Sequence, residues 1–137
     1  MQKDSTDTNI AKNVNGVKRI PRAIACSLNG YKAAWLFESG FRQYAFIAAI
    51  LSPASFYISQ STTHWFVLIA SLVFLLFSEI INSAIEAVAD AAIPEYNELI
   101  GRAKDLGSAG VFTAVLLVIL IWGVSIYQYL TALISLS

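Results

Sequence analysis

The chain has 137 residues, of which 57% are hydrophobic and only 13% charged, and its formal net charge is zero. A mean hydropathy of +0.64 is too apolar for a soluble domain of this length and points to a single integral membrane domain. The few Lys and Arg residues are placed to orient such a domain rather than to bind nucleic acid, and the single Cys excludes an intrachain disulfide.

Residues 1–16 are polar and lack apolar periodicity, so a disordered cytoplasmic tail is expected there. Residues 17–137 are read as one membrane-embedded domain. It opens with an amphipathic helix over about residues 17–39, where Ile20, Ile24, Leu28, Tyr31 and Trp35 recur at three- and four-residue steps. Lys18, Arg22, Asn29 and Lys32 form the polar side, as suits a helix lying at an interface. Pro21 fits its first turn.

From residue 43 to 78 there is no Asp, Glu, Lys or Arg. That stretch is too long for one span and is broken by the turn-prone residues 59–64, which predicts spans over about 41–59 and 64–90. A third uncharged stretch predicts a span over about 106–136, above the roughly 20 residues that cross a hydrocarbon core. Six basic residues from Lys12 to Arg42 precede the first span, and Arg102 and Lys104 lie between the second and third. None follows the third. The positive-inside rule then places the amino terminus and the 90–105 loop in the cytoplasm and the carboxyl terminus outside.

Other signals carry less. Ala23, Ile24, Ala25 and Cys26 lack the preceding apolar region of a lipoprotein signal. His64 beside Trp65 reads as an interfacial polar residue, Pro53 as a plain kink, and Trp65, Trp122, Tyr127 and Tyr129 as an interface belt.

The second span carries the chemistry. In EIINSAIEAVAD, Glu79, Asn82, Glu86 and Asp90 fall at roughly 0°, −60°, −20° and +20° around a helix, so three carboxylates and an amide share one face. Ionisable groups inside a span are costly and mark a functional site by default. With His64 and Trp65 at the outer interface, Glu79 lies roughly 22 Å inward and Glu86 roughly 33 Å inward. The deeper carboxyl is desolvated and suits acid–base work on a lipid; the outer one meets water-borne cations. Glu38 precedes the first span at the depth of Glu86, and two such carboxylates suit Mg²⁺ shared with phosphate. The motif GRAKD is expected as a cytoplasmic loop in which Lys104 and Asp105 face a phosphate. The same stripe also suits interhelical hydrogen bonding, with Ser83, Ala84 and Ala87 as small packing residues.

Together, EIINSAIEAVAD, the following GRAKDLGSA and the preceding AAWLFESGFRQ resemble prokaryotic diacylglycerol kinase, from about residue 19 to the end of the third span. The resemblance implies an all-α membrane protein, a surface helix plus three transmembrane helices per chain, assembled as a homotrimeric bundle in the bacterial inner membrane. It implies transfer of phosphate from MgATP to diacylglycerol, giving phosphatidic acid at the cytoplasmic interface.

Carried over by motif, Glu79 is the catalytic base and Glu38 and Glu86 hold the Mg²⁺. Arg19, Cys26, Glu38, Glu86, Glu95, Tyr96, Asn97, Lys104 and Asp105 contact the nucleotide. Arg19, Trp35, Glu79 and Ser108 meet the lipid, while Asn82 and Asp90 organise the site. Cys26, Tyr44, Ala89 and Asn97 depart from the residues familiar at those positions. An undecaprenol kinase of the same superfamily would use the same chemistry, and a proton-coupled transporter is the alternative of another class.

Overall fold

The computed structural model describes residues 16–92 and 97–135, with side chains from residue 19 onward. The expected tail, apart from Gly16, lies outside the described residues, as do Glu95 and Tyr96. Four helices follow in chain order: α1 Gly16–Phe37, α2 Ser39–Ile58, α3 Thr62–Ala92 and α4 Glu98–Ile134.

Helix α1 forms a separate unit that ends at Phe37. The residues of its apolar stripe, Ile20, Ile24, Leu28, Tyr31 and Trp35, are all exposed. Pro21 falls inside the helix, in the second turn rather than the first, because the helix begins at Gly16 and the proline then lacks only the one N–H that would reach Val17.

Helices α2 to α4 form the second unit. Its local signals are short-range. Glu38 occupies the cap position of α2 with extended backbone and makes no side-chain capping bond, as a long carboxylate is a poor cap compared with Ser or Asp. Ser61 accepts the His64 N–H at 3.1 Å and so closes the start of α3. Asn97 caps α4, its Oδ1 accepting from the Leu99 N–H at 2.9 Å, and Glu98 in the first turn suits the positive end of the helix dipole. For that reason GRAKD, expected as a loop, is helical. Gly101 continues the ladder, its N–H reaching Asn97 O at 3.0 Å.

The three helices run up, down and up. Asp90 meets Lys104 at one end of the α3–α4 pair, and His64 meets Ser125 at the other, 2.8 Å apart, so the pair is antiparallel. Between these ends lies a core of Ala48 from α2, Leu68, Leu72 and Leu75 from α3, and Ala114, Val118 and Trp122 from α4. Trp122 satisfies its indole N–H within that core by donating to Ser71 Oγ at 3.2 Å. At 31 and 37 residues, α3 and α4 measure about 46 and 56 Å. Among the described residues they are the two helices long and apolar enough to cross a membrane.

Leu68 is fully buried in this core. Leu68→Ala leaves a cavity between three helices that cannot close onto it, and a loss of roughly 2–5 kcal/mol is expected. Thermal unfolding in detergent, compared with an exposed control such as Phe74→Leu, measures it.

Candidate functional site

The polar face of α3 is built as the helical phase requires. Glu79 and Asn82 are buried, at 8% and 9% exposure, Glu86 is half-buried and Asp90 is exposed. Asn82 donates from Nδ2 to Glu86 Oε1 at 2.9 Å, one turn along the helix, and so fixes that carboxylate. Its own Oδ1 is buried with no hydrogen-bond partner. Both Glu86 and Glu38 stand near enough to Glu79 for their charges to act on it, so the three expected carboxylates are brought together within one chain. Among the described residues no group of three or more His, Cys, Asp and Glu side chains encloses a metal by itself.

Two glycines, not singled out as site residues above, let these side chains lie where they do. A Cβ at Gly40 in the first turn of α2 would collide with Glu79 Oε1, so the Glu79 carboxyl fills the space that a side chain there would take. A Cβ at Gly107 on α4 would stand 2.5 Å from Asn82 Oδ1 and 3.4 Å from Ile85 Cδ1. Both helices approach α3 through a missing side chain, at the two residues whose polar atoms face inward. Sequence alone gives only the small residue type, which reads equally as a cap or a loop.

Lys104 pairs with Asp90 at 2.8 Å, with side-chain exposures of 40% and 70%. The lysine precedes the uncharged stretch of α4. The Asp90 hydrogen bond and charge hold its ammonium above the ordinary lysine range, with a smaller push from the Glu86 charge. Lys104, cationic at neutral pH as any lysine is, thus stands beside Asp90 and Glu86 of its own chain. Asp105 and Ser108 are exposed, and Asn97 is spent on capping α4. Arg19, Cys26 and Trp35 lie on α1, all exposed.

A cavity of about 340 Å³ opens beside Glu79, lined by Tyr44, Asn82 and Ser108 and then by Val111, Phe112 and Val115. One end is thus polar and the other apolar. A larger groove, of about 500 Å³, lies between α3 and α4 and is lined by apolar residues such as Ile81, Ile85 and Val88. These fall on the opposite phase of α3 from the carboxylates, so that groove offers no reacting group. Chemically, the smaller site presents a buried carboxyl at the polar end of a cavity whose other end is apolar. The Glu38 and Glu86 carboxylates and the Lys104 cation stand on its more exposed side.

Residues 25–126 match the family model for prokaryotic diacylglycerol kinase. The chain is 36% identical over 120 residues to the diacylglycerol kinase of Escherichia coli K12, covering 88% of this chain and 98% of that one. It is 38% identical over 108 residues to the Haemophilus influenzae diacylglycerol kinase, covering 79% and 92%. With the Pseudomonas aeruginosa diacylglycerol kinase it shares 37% identity over 111 residues, covering 81% and 90%. The match takes in α2 with its cap Glu38, α3, most of α1 and most of α4, and the chain belongs to the prokaryotic diacylglycerol kinase family.

Proposed function

We propose that this chain phosphorylates diacylglycerol with ATP, the carrying observation being a buried Glu79 carboxyl at the polar end of a cavity whose other end is apolar. In this reading α2, α3 and α4 are three spans, and α1 lies on the cytoplasmic surface of a bacterial inner membrane with its exposed apolar side chains in the interface. The amino terminus is cytoplasmic and the carboxyl terminus outside. The 20 residues of α2 extend about 30 Å, a hydrocarbon thickness. Large apolar side chains exposed on all three helices, among them Phe46, Phe74 and Ile119, support a lipid surrounding. A homotrimer, with nine spans, provides the cover that three helices leave incomplete around Glu86 and Asp90.

The chemistry follows from position. The Glu79 carboxylate takes the proton of the lipid hydroxyl as its oxygen attacks the γ-phosphorus. A new P–O bond forms to the lipid, the bond to the bridging oxygen breaks, and ADP leaves. Asn82 holds Glu86 in one orientation, and Lys104, paired with Asp90, offers a point charge to phosphate.

The donor set fits Mg²⁺. Glu86 uses one oxygen for Asn82 and Glu38 makes no capping bond, so hard carboxylate oxygens remain and phosphate and water complete the shell. When bound, that ion would neutralise charge on the transferred phosphoryl group. Asp105, Arg19, Cys26, Glu95, Tyr96 and Asn97 as nucleotide contacts, and Trp35 and Ser108 as lipid contacts, rest on the motif resemblance.

Labelled γ-phosphate supplied as ATP in mixed micelles, with diacylglycerol and undecaprenol in parallel, tests the proposal. Label is expected in phosphatidic acid and to vanish when Mg²⁺ is removed by chelation. Label in the polyprenol alone would move the assignment to undecaprenol kinase. Label in neither lipid would refute a kinase and turn attention to proton flux.

A further inference from the structure

The cavity beside Glu79 has an inventory of hydrogen-bonding groups that says more about the lipid than its alcohol. Two of the polar lining residues carry acceptors, the Glu79 carboxylate and Asn82, whose unpartnered Oδ1 is buried against Gly107. The other two, the hydroxyls of Tyr44 and Ser108, are able to donate. Among the described residues neither of these hydroxyls has a hydrogen-bond partner. Ser39 and Ser83 of the same helices likewise make no hydroxyl bond, so what sets Tyr44 and Ser108 apart is their place in the cavity lining. Ser52, Ser55, Ser71, Ser78 and Ser125, by contrast, spend their hydroxyl on a carbonyl three or four residues back, a common outlet for a helical serine.

The positions are ordered along the cavity. Tyr44 lies one turn beyond Gly40, about 6 Å further along α2, and Gly40 is where the Glu79 carboxyl rests. Helix α4 runs in the same direction, from Ser108 past Val111 and Phe112 to Val115. A lipid alcohol entering hydroxyl first would meet Glu79, then free donors, then an apolar wall. Beyond its hydroxyl, diacylglycerol carries ester carbonyls that only accept hydrogen bonds, separated from that hydroxyl by a few bonds. A polyprenol or a dialkyl ether carries no carbonyl there.

We propose that Tyr44 is a specificity-determining residue, its phenolic O–H donating to an acyl ester carbonyl and so selecting ester-linked diacylglycerol over alcohols with hydrocarbon or ether tails. This deepens the kinase reading and rests on it. Tyr44 is half-buried and packs against the helix core, so Tyr44→Phe keeps the ring and removes only the donor. The hydroxyl acts equally on bound substrate and transition state, and its loss therefore raises KM and spares kcat.

The test is a cycle between protein and lipid. Initial rates are measured for the wild-type chain and Tyr44→Phe with a 1,2-diacylglycerol and with its 1,2-dialkyl ether analogue, in the same micelles. One hydrogen bond is expected to give the ester about a fivefold lower KM than the ether in the wild type. Tyr44→Phe should raise the ester KM about fivefold while leaving the ether KM and both kcat values within about twofold. An unchanged ester KM would overturn the assignment, as would an equal rise for ester and ether, which would make Tyr44 a packing residue. If the wild type phosphorylates neither lipid, the kinase reading falls and this inference with it. That result is distinct from turnover without ester preference, which removes the role of Tyr44 alone.

Discussion

Glu79→Gln is expected to lower kcat by about 10³-fold with diacylglycerol while leaving a folded protein, the size of effect usual for loss of a general base. The substitution is nearly isosteric, which matters because the carboxyl occupies the space at Gly40 and a larger group would not fit. Gln also carries no charge. Glu79 is buried with Glu38 and Glu86 near enough to act on it, so a neutral amide removes mutual repulsion and one desolvated ion together. Thermal stability in detergent should therefore hold or rise while turnover collapses. Turnover within tenfold of wild type would sink the assignment of the base, and a collapse of stability alongside activity would make Glu79 a structural residue.

Much of this site was legible in the sequence because helical phase is rigid. Once residues 64–90 are read as a helix, 100° per residue fixes Glu79, Asn82, Glu86 and Asp90 on one face, and the structure brings Glu38 and Lys104 to the same end of the unit. What spacing cannot supply is the choice of partner across helices. That Lys104 pairs with Asp90 depends on how closely α4 approaches α3. That approach depends in turn on Gly107, whose contribution is an absent side chain. GRAKD misled as a loop for a related reason: its glycine and charges suggest a break, but the cap that starts the helix lies earlier, at Asn97. Tyr44 lacked any signal beyond its unusual place after FRQ, because a tyrosine in an apolar span reads as packing until the neighbours of its hydroxyl are known.

Gly107→Ala tests whether that close approach serves the site or only the fold. The new Cβ would stand 2.5 Å from Asn82 Oδ1, well inside contact distance, so the amide must turn or the helices must part. Asn82 is 9% exposed and its Nδ2 is committed to Glu86. Turning the amide therefore breaks the 2.9 Å bond that orients the Glu86 carboxylate, and about a tenfold or larger loss of kcat/KM is expected, with overpacking costing about 1–3 kcal/mol. Adding Asn82→Ala to the glycine variant removes the atom that the Cβ strikes and with it a buried, unpartnered acceptor. Stability should then return to near that of the wild type, because the two effects share one contact and are not additive. Activity should stay low, since nothing remains to hold Glu86. Recovery of both stability and activity in the double variant would show that Gly107 matters for packing alone and that Glu86 needs no help from Asn82. A Gly107→Ala change that lowers activity in the wild type but not in the Asn82→Ala background would establish the glycine as part of the positioning of the site, acting through the one amide that lies between it and the carboxylate.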